Sequence, residues 1–161
     1  MQKITPCLWF DNQAEEAAKF YTSIFKDSKT TRTSYYGEAG HEQHGQKAGT
    51  VLVVEIDIKG QPITLLNGGP VFKFNEAVSL QVPCDSQEEI DYYWDKLAEG
   101  GAHSECGWLK DKYGLSWQVF PAAIMDMLSD SNRAKSQAAM AAMMKMKKMD
   151  LAALRKAYNE A

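Results

Sequence analysis

One pattern, written twice at an interval of 73 residues, constrains this chain more than anything else in it. Glu15-Glu16-Ala17 stands before Phe20-Tyr21, and Glu88-Glu89-Ile90 stands before Tyr93-Trp94. The elements around each copy recur in the same order. Ile4, Pro6, Leu8 and Phe10 alternate with Thr5, Cys7 and Trp9 as a strand does, and Val78, Leu80 and Val82 alternate with Ser79 and Gln81. Asp11-Asn12 and Asp85-Ser86 offer short polar side chains to cap helices. Ala14, Ala17, Ala18, Tyr21, Ile24 and Phe25 then share one helix face, as do Ile90, Tyr93, Trp94 and Leu97. Thr30–Tyr36 reads as a strand, Gly37–Gly49 as a mobile loop, and Thr50–Ile58 with Pro62–Leu66 as a hairpin turning at Lys59-Gly60. His103–Leu109 and Leu115–Phe120 read as a second hairpin around Lys112-Tyr113-Gly114. A strand, a helix and further strands in duplicate imply an internal duplication. The expected fold is α+β, with two βαβββ modules paired over residues 3–128. Helices are expected at 13–26 and 86–99 on the outer faces of the sheets.

Beyond Pro121 the composition changes. Ala123–Leu128 predicts a short helix, and Ser131 or Asn132 caps a longer Met-rich one running towards Lys148. Asp150 caps a last helix ending near Tyr158, so 129–161 forms a C-terminal helical extension. Residues 132–161 carry a net charge of +5 and residues 1–131 one of −8, within a total of −3. A basic Met/Ala-rich stretch can be a target for a groove or a membrane surface. Lys147 interrupts the continuous apolar face such a role needs. The expectation is therefore a helix docked on the domain or on a second subunit.

The remaining composition narrows the function classes. An overall acidic balance argues against a nucleic-acid binder. The three cysteines form no CxxC and no even-numbered framework, which reads as reduced thiols in the cytoplasm. The start MQKITPCLWFDN has no secretory-signal pattern, and no apolar run approaches the ~18 residues of a membrane span. A soluble cytoplasmic protein is expected, without nucleic acid or membrane as partner.

Several stretches, taken with the duplication, resemble the PhnB-like family of the vicinal oxygen chelate superfamily, which includes glyoxalase I, extradiol dioxygenases and bleomycin-resistance proteins. They are Ile4–Asp11, the Glu-Glu-Ala-x-x-Phe-Tyr helix, Leu66-Asn67-Gly68-Gly69-Pro70, Gln87-Glu88-Glu89-Ile90-Asp91, Cys106-Gly107-Trp108-Leu109, Asp111-Lys112-Tyr113-Gly114 and Ser116-Trp117-Gln118. Members of that family are often labelled 3-demethylubiquinone-9 3-methyltransferase, although the chain shows no strand–glycine-rich-loop–helix nucleotide site. The resemblance implies sheets curled into a cup, and in the superfamily the first and last strands of each module supply His and Glu to a divalent metal. The matching positions here are Thr5 and Ala77 on the first strands and Thr64 and Gln118 on the last. None is a His or a carboxylate, so no metal or other cofactor is expected.

Strand alternation puts Thr5, Cys7 and Trp9 opposite Leu8 and Phe10. It likewise puts Ser79 and Gln81 opposite Leu80 and Val82, and Gln118 opposite Trp117 and Val119. In a cup, these six would line a pocket suited to a small polar or aromatic molecule. They are the candidate ligand-binding residues. The leading expectation is a binding protein without chemistry, acting as a homodimer because open sheets leave edges and a mouth to cover. The alternative is a metal-independent lyase, isomerase or methyltransferase using Asp111, His103 or Cys106. His41-x-x-His44 has metal-like spacing but lies in the glycine-rich segment with no obvious fourth ligand.

Overall fold

The computed structural model describes residues 4–161. Residue 3, where the paired domain is expected to begin, lies outside the described residues, as does the start of the N-terminal stretch. The chain divides into two compact units, one ending at Lys73 and the other running from Phe74 to Ala161.

The first unit contains β1 (Cys7–Phe10), α1 (Ala14–Ile24), β2 (Ser28–Tyr35), α2 (His41–His44), β3 (Val51–Ile58) and β4 (Gln61–Asn67). Its sheet has the order β1-β4-β3-β2. β1 runs parallel to β4, with Cys7 opposite Thr64 and Trp9 opposite Leu66, while β3 is antiparallel to both β4 and β2. Alternation buries Leu8, Phe10, Val54, Ile56, Ile63 and Leu65 beneath α1. Ala14, Ala17, Ala18, Tyr21 and Ile24 supply the facing stripe of the helix.

The second unit repeats this order with β5 (Ser79–Cys84), α3 (Gln87–Leu97), β6 (Ala102–His103), β7 (Trp108–Lys110) and β8 (Ser116–Pro121). Its sheet order, β5-β8-β7-β6, matches the first term for term, including the parallel pair β5/β8. The two helices are eleven residues each and lie 73 residues apart, as the sequence pattern requires. The buried strand positions lie 74 apart, Leu8 and Phe10 against Val82 and Cys84. Three residues join β1 to α1 and only two join β5 to α3, which accounts for the one-residue difference.

Five expectations need correction. Asp11 and Asn12 do not cap α1. The Asn67 side chain does so from the end of β4, where its Oδ1 accepts the Ala14 N–H at 2.8 Å and its Nδ2 donates to the Val51 carbonyl at 3.1 Å. A buried amide with both ends bonded ties helix to sheet, which a local cap cannot do. In the second unit, by contrast, Ser86 caps α3 as expected, accepting the Glu89 N–H at 3.2 Å. The segment 37–49 is not wholly irregular, because α2 forms a single turn between Gly40 and Gly45, both left-handed. His103–Leu109 is not one strand. Cys106 (φ 54°) and Gly107 (φ 78°) form a tight turn closed by the Trp108 N–H on the Glu105 carbonyl, and this separates β6 from β7. Ala77 lies in the turn before β5, so the residue matching Thr5 at the 74-residue offset is Ser79.

The fifth correction concerns the C-terminal helices, α4 (Ala123–Ser129), α5 (Arg133–Met143) and α6 (Leu151–Asn159). Asn132 and Asp150 cap α5 and α6 as expected. The Met-rich helix stops at Met143 rather than continuing towards Lys148. The next residues unwind because their carbonyls are used elsewhere: Met146 and Lys147 accept the N–H groups of Cys106 and Gly107 at 2.8 and 2.7 Å. Gln87 adds a two-sided clamp, donating to the Met149 carbonyl and accepting the Leu151 N–H. Met149, Leu151 and Leu154 are buried, while Met140 and Met144 remain exposed. No described helix is long and apolar enough to cross a membrane.

Candidate functional site

In each unit the helix covers one sheet face, and the candidate residues occupy the other. In the second unit that face carries Ser79, Gln81, Trp108, Lys110, Ser116 and Gln118, because Trp108 pairs with Gln118, Lys110 with Ser116, and Ser116 with Ser79. Gln118 is half-buried and donates from Nε2 to Ser79 Oγ at 2.8 Å. That bond fixes the amide and turns its carbonyl oxygen away from Ser79. Gln81, directly opposite Gln118, is exposed.

In the first unit the face opposite α1 carries Cys7, Trp9, Glu55 and Thr64, with Thr5 just ahead of β1. Trp9 is held firmly. Its Nε1 donates to the Gly69 carbonyl at 2.8 Å, and Phe72 meets its ring edge-on at 4.9 Å. Gly68 lies directly beneath it, where a Cβ would stand 2.3 Å from the indole and force the ring to move. The run Asn67-Gly68-Gly69 therefore does more than end a strand: it builds the seat of Trp9. Partial desolvation raises the Cys7 thiol above its ordinary pKa and so disfavours the thiolate. Thr5 and Thr64 line a depression of about 180 Å³ with Glu55. Glu55 is a carboxylate on this face that strand alternation in Val51–Ile58 could have shown, and it is engaged by Arg32 through two hydrogen bonds.

The acid–base alternatives are placed differently. Asp111 is 2% exposed. Its Oδ1 accepts the N–H groups of Tyr113 and Leu115 and its Oδ2 accepts Trp117 Nε1, so the carboxylate holds the β7–β8 turn. His103 stacks on Trp94, nearly parallel at 4.4 Å, and its Nε2 lies 3.1 Å from the Trp94 carbonyl oxygen. The Cys106 thiol points to the Met143 carbonyl. His44 uses both ring nitrogens on backbone groups of Ala39 and Gln46, so His41 and His44 form no ligand pair.

These geometries accompany a clear set of relatives. The family described as 3-demethylubiquinone-9 3-methyltransferase matches residues 2–120. The chain belongs to this PhnB family. It is 40% identical to a solved structure described as a putative 3-demethylubiquinone-9 3-methyltransferase, PhnB protein, from Bacillus cereus, with a TM-score of 0.64 over 73% of this chain and 97% of that one. A solved protein from Pseudomonas aeruginosa, PA1353, is 16% identical with a TM-score of 0.53, over 73% of this chain and 95% of that one, and shows the shared fold alone. No match was found among curated proteins.

In neither unit do the candidate metal positions fit a divalent cation. In the first, Thr5 and Thr64 are neutral and the neighbouring Glu55 is engaged by Arg32, and in the second, Ser79 and Gln118 are neutral and hydrogen-bonded to each other. Among the described residues no group of three or more His, Cys, Asp or Glu is placed to hold a metal. On either face a divalent ion would lose hydration without meeting an uncommitted carboxylate.

On the second unit's face, Ser116, Trp108 and Lys110 join the residues expected from sequence. Ser116 was open to view, since it shares strand and parity with Gln118. Trp108 and Lys110 were hidden, because their face is set by where the turn at Cys106-Gly107 divides the strands.

Proposed function

We propose that this PhnB-family protein binds a small polar or aromatic molecule on the sheet faces opposite its helices, without a metal or other cofactor. The observation that carries this reading is the chemistry of those faces. A face packed on protein would be apolar, and a merely solvated one would resemble β2, with its Lys29 and Arg32. These faces instead carry mainly neutral hydrogen-bonding and aromatic groups, with Glu55 and Lys110 ion-paired, and Gln118 and Trp9 are held in place by Ser79 and Gly69. Preset groups of this kind recognise a ligand at little entropic cost. Thr5, Cys7, Trp9, Ser79, Gln81 and Gln118 remain the binding residues in this proposal. The methyltransferase description of the family would need a place for a methyl donor, and the two mixed four-stranded sheets offer no glycine-rich strand–helix junction for a nucleotide.

A homodimer and a cytoplasmic location belong to the same proposal. Three free cysteines fit a reducing compartment, and the exposed Met140 and Met144 offer apolar surface for a second copy to cover. The test of function is a metabolite screen by thermal shift, because a ligand that binds only the folded chain raises its stability by RT ln(1 + [L]/Kd). Stabilisation that disappears in Gln118→Ala supports the reading. A screen without a single stabilising compound, or one whose hits ignore both Gln118→Ala and Trp9→Phe, removes it.

A further inference from the structure

A cavity of about 620 Å³ opens on the second unit near β6 and β7, and none of the six residues named above lines it. Ser116 stands in its wall, 1% exposed, with no hydrogen-bond partner for its Oγ. A buried hydroxyl left unpaired is costly, so native chains rarely keep one without a use. The sheet register explains its position. Trp117 faces α3, so Ser116 faces the other way, opposite Lys110 on β7. Lys110 is ion-paired with Glu76, also in the wall, and the two side chains are 42% and 63% exposed. Such a pair is weakly held and can open. Trp108, two residues before Lys110, presents a half-buried ring on the same face.

We propose that this cavity binds a small zwitterion of the α-amino acid class, its carboxylate on Lys110 Nζ and Ser116 Oγ, its ammonium on Glu76, and its apolar side chain against Trp108. The paired signs in the wall select the class. Glu76 is held ionised, its carboxyl lowered below the ordinary range by the hydrogen bond from Lys110. A simple anion approaching Lys110 would meet that carboxylate, and a simple cation would meet Lys110. A ligand carrying both charges converts one ion pair into two and offers the Ser116 hydroxyl a charged acceptor. The inference deepens the proposed small-molecule function and rests on it, since Ser79 and Gln118 adjoin Ser116 on the same sheet face.

The test is calorimetric titration of the full chain with the twenty common L-amino acids, then with the amine and the acid that each match the best binder but lack one charge. At least one amino acid should bind, and each one-charge analogue should bind tenfold more weakly or worse. Ser116→Ala and Lys110→Met should each weaken binding about tenfold. Ser116→Ala should leave the melting temperature of the unliganded protein unchanged or higher, because it deletes an unpaired hydroxyl. A lower melting temperature would show a structural partner for Ser116 and overturn the inference. So would analogues that bind as well as the amino acid, or binding indifferent to both substitutions. If amino acids fail while other metabolites stabilise the protein, the inference falls and the small-molecule function stands. If nothing stabilises it, both fall.

Discussion

The two modules share one topology and spend their residues differently. β2 and β3 of the first are eight residues each, whereas their counterparts β6 and β7 have two and three. The first module ends in a long edge strand, with Lys29 and Arg32 on it and a pairing irregularity between Thr30 and Arg32, both of which discourage further strand pairing. The second has almost no edge there. Its Cys106-Gly107 turn donates instead to the carbonyls of Met146 and Lys147, so an unwound stretch of the extension replaces the missing strand length. Where the short strands stop, a cavity opens. A duplicated fold can thus give up strand in one copy if another segment satisfies its backbone groups, and a recess then becomes available on that copy alone.

The largest test of this contrast compares the two hairpin turns. Half-buried Asp57 accepts the Gly60 N–H through Oδ1, while buried Asp111 accepts from Tyr113, Leu115 and Trp117. Asp111→Ala should cost about 3 kcal/mol or more in denaturant unfolding, and Asp57→Ala about 1 kcal/mol or less. Equal losses would show that the turns are not differently built.

Two glycines come next. A Cβ on Gly107 would lie 2.4 Å from the Val119 carbonyl oxygen at a positive φ, whereas the atoms nearest to one on Gly68 belong to the Trp9 ring. Gly107→Ala should lower stability by about 2–3 kcal/mol, and Gly68→Ala by about 1–2 kcal/mol with a changed tryptophan emission, since a ring can shift where a backbone cannot. The helix caps sharpen the comparison further. Removing the tertiary cap with Asn67→Ala should cost about 2 kcal/mol and removing the local one with Ser86→Ala about 1 kcal/mol, both read from chemical unfolding.

A smaller effect concerns the docked extension. Lys148 lies 2.9 Å from Asp91, and its hydrogen bond, with that of Gln87, lowers the Asp91 carboxyl below the ordinary range. A depressed folded pKa means that the contribution is present above the unfolded value of about 3.9 and is lost as pH falls through the folded one. Hydrogen exchange in the 144–151 segment should therefore rise slightly in acid, below about pH 4, and β2–β3 should not follow it. The smallest expected effect is none: chelator should leave the melting temperature unchanged, and elemental analysis of protein grown with Zn²⁺, Ni²⁺ and Mn²⁺ should find no stoichiometric metal. One equivalent lost on Gln118→Ala would overturn the metal-free reading.

Much of this was legible in the residues. The spacing of Glu15-Glu16 and Glu88-Glu89 located two equal helices, and alternation placed Cys7, Trp9, Gln81 and Gln118 on the faces opposite them. Helix period, strand period and local caps such as Ser86, Asn132 and Asp150 act between neighbours in the chain, so sequence alone carries them. Only the tertiary structure decided that Asn67 caps α1 across 53 residues, that the Met-rich helix yields its next carbonyls to Cys106 and Gly107, and that Ser116 is left in a wall beside Lys110 and Glu76. Those outcomes depend on hydrogen-bonding groups that distant segments bring together, and a polar group's partner cannot be assigned until the chain has closed around it.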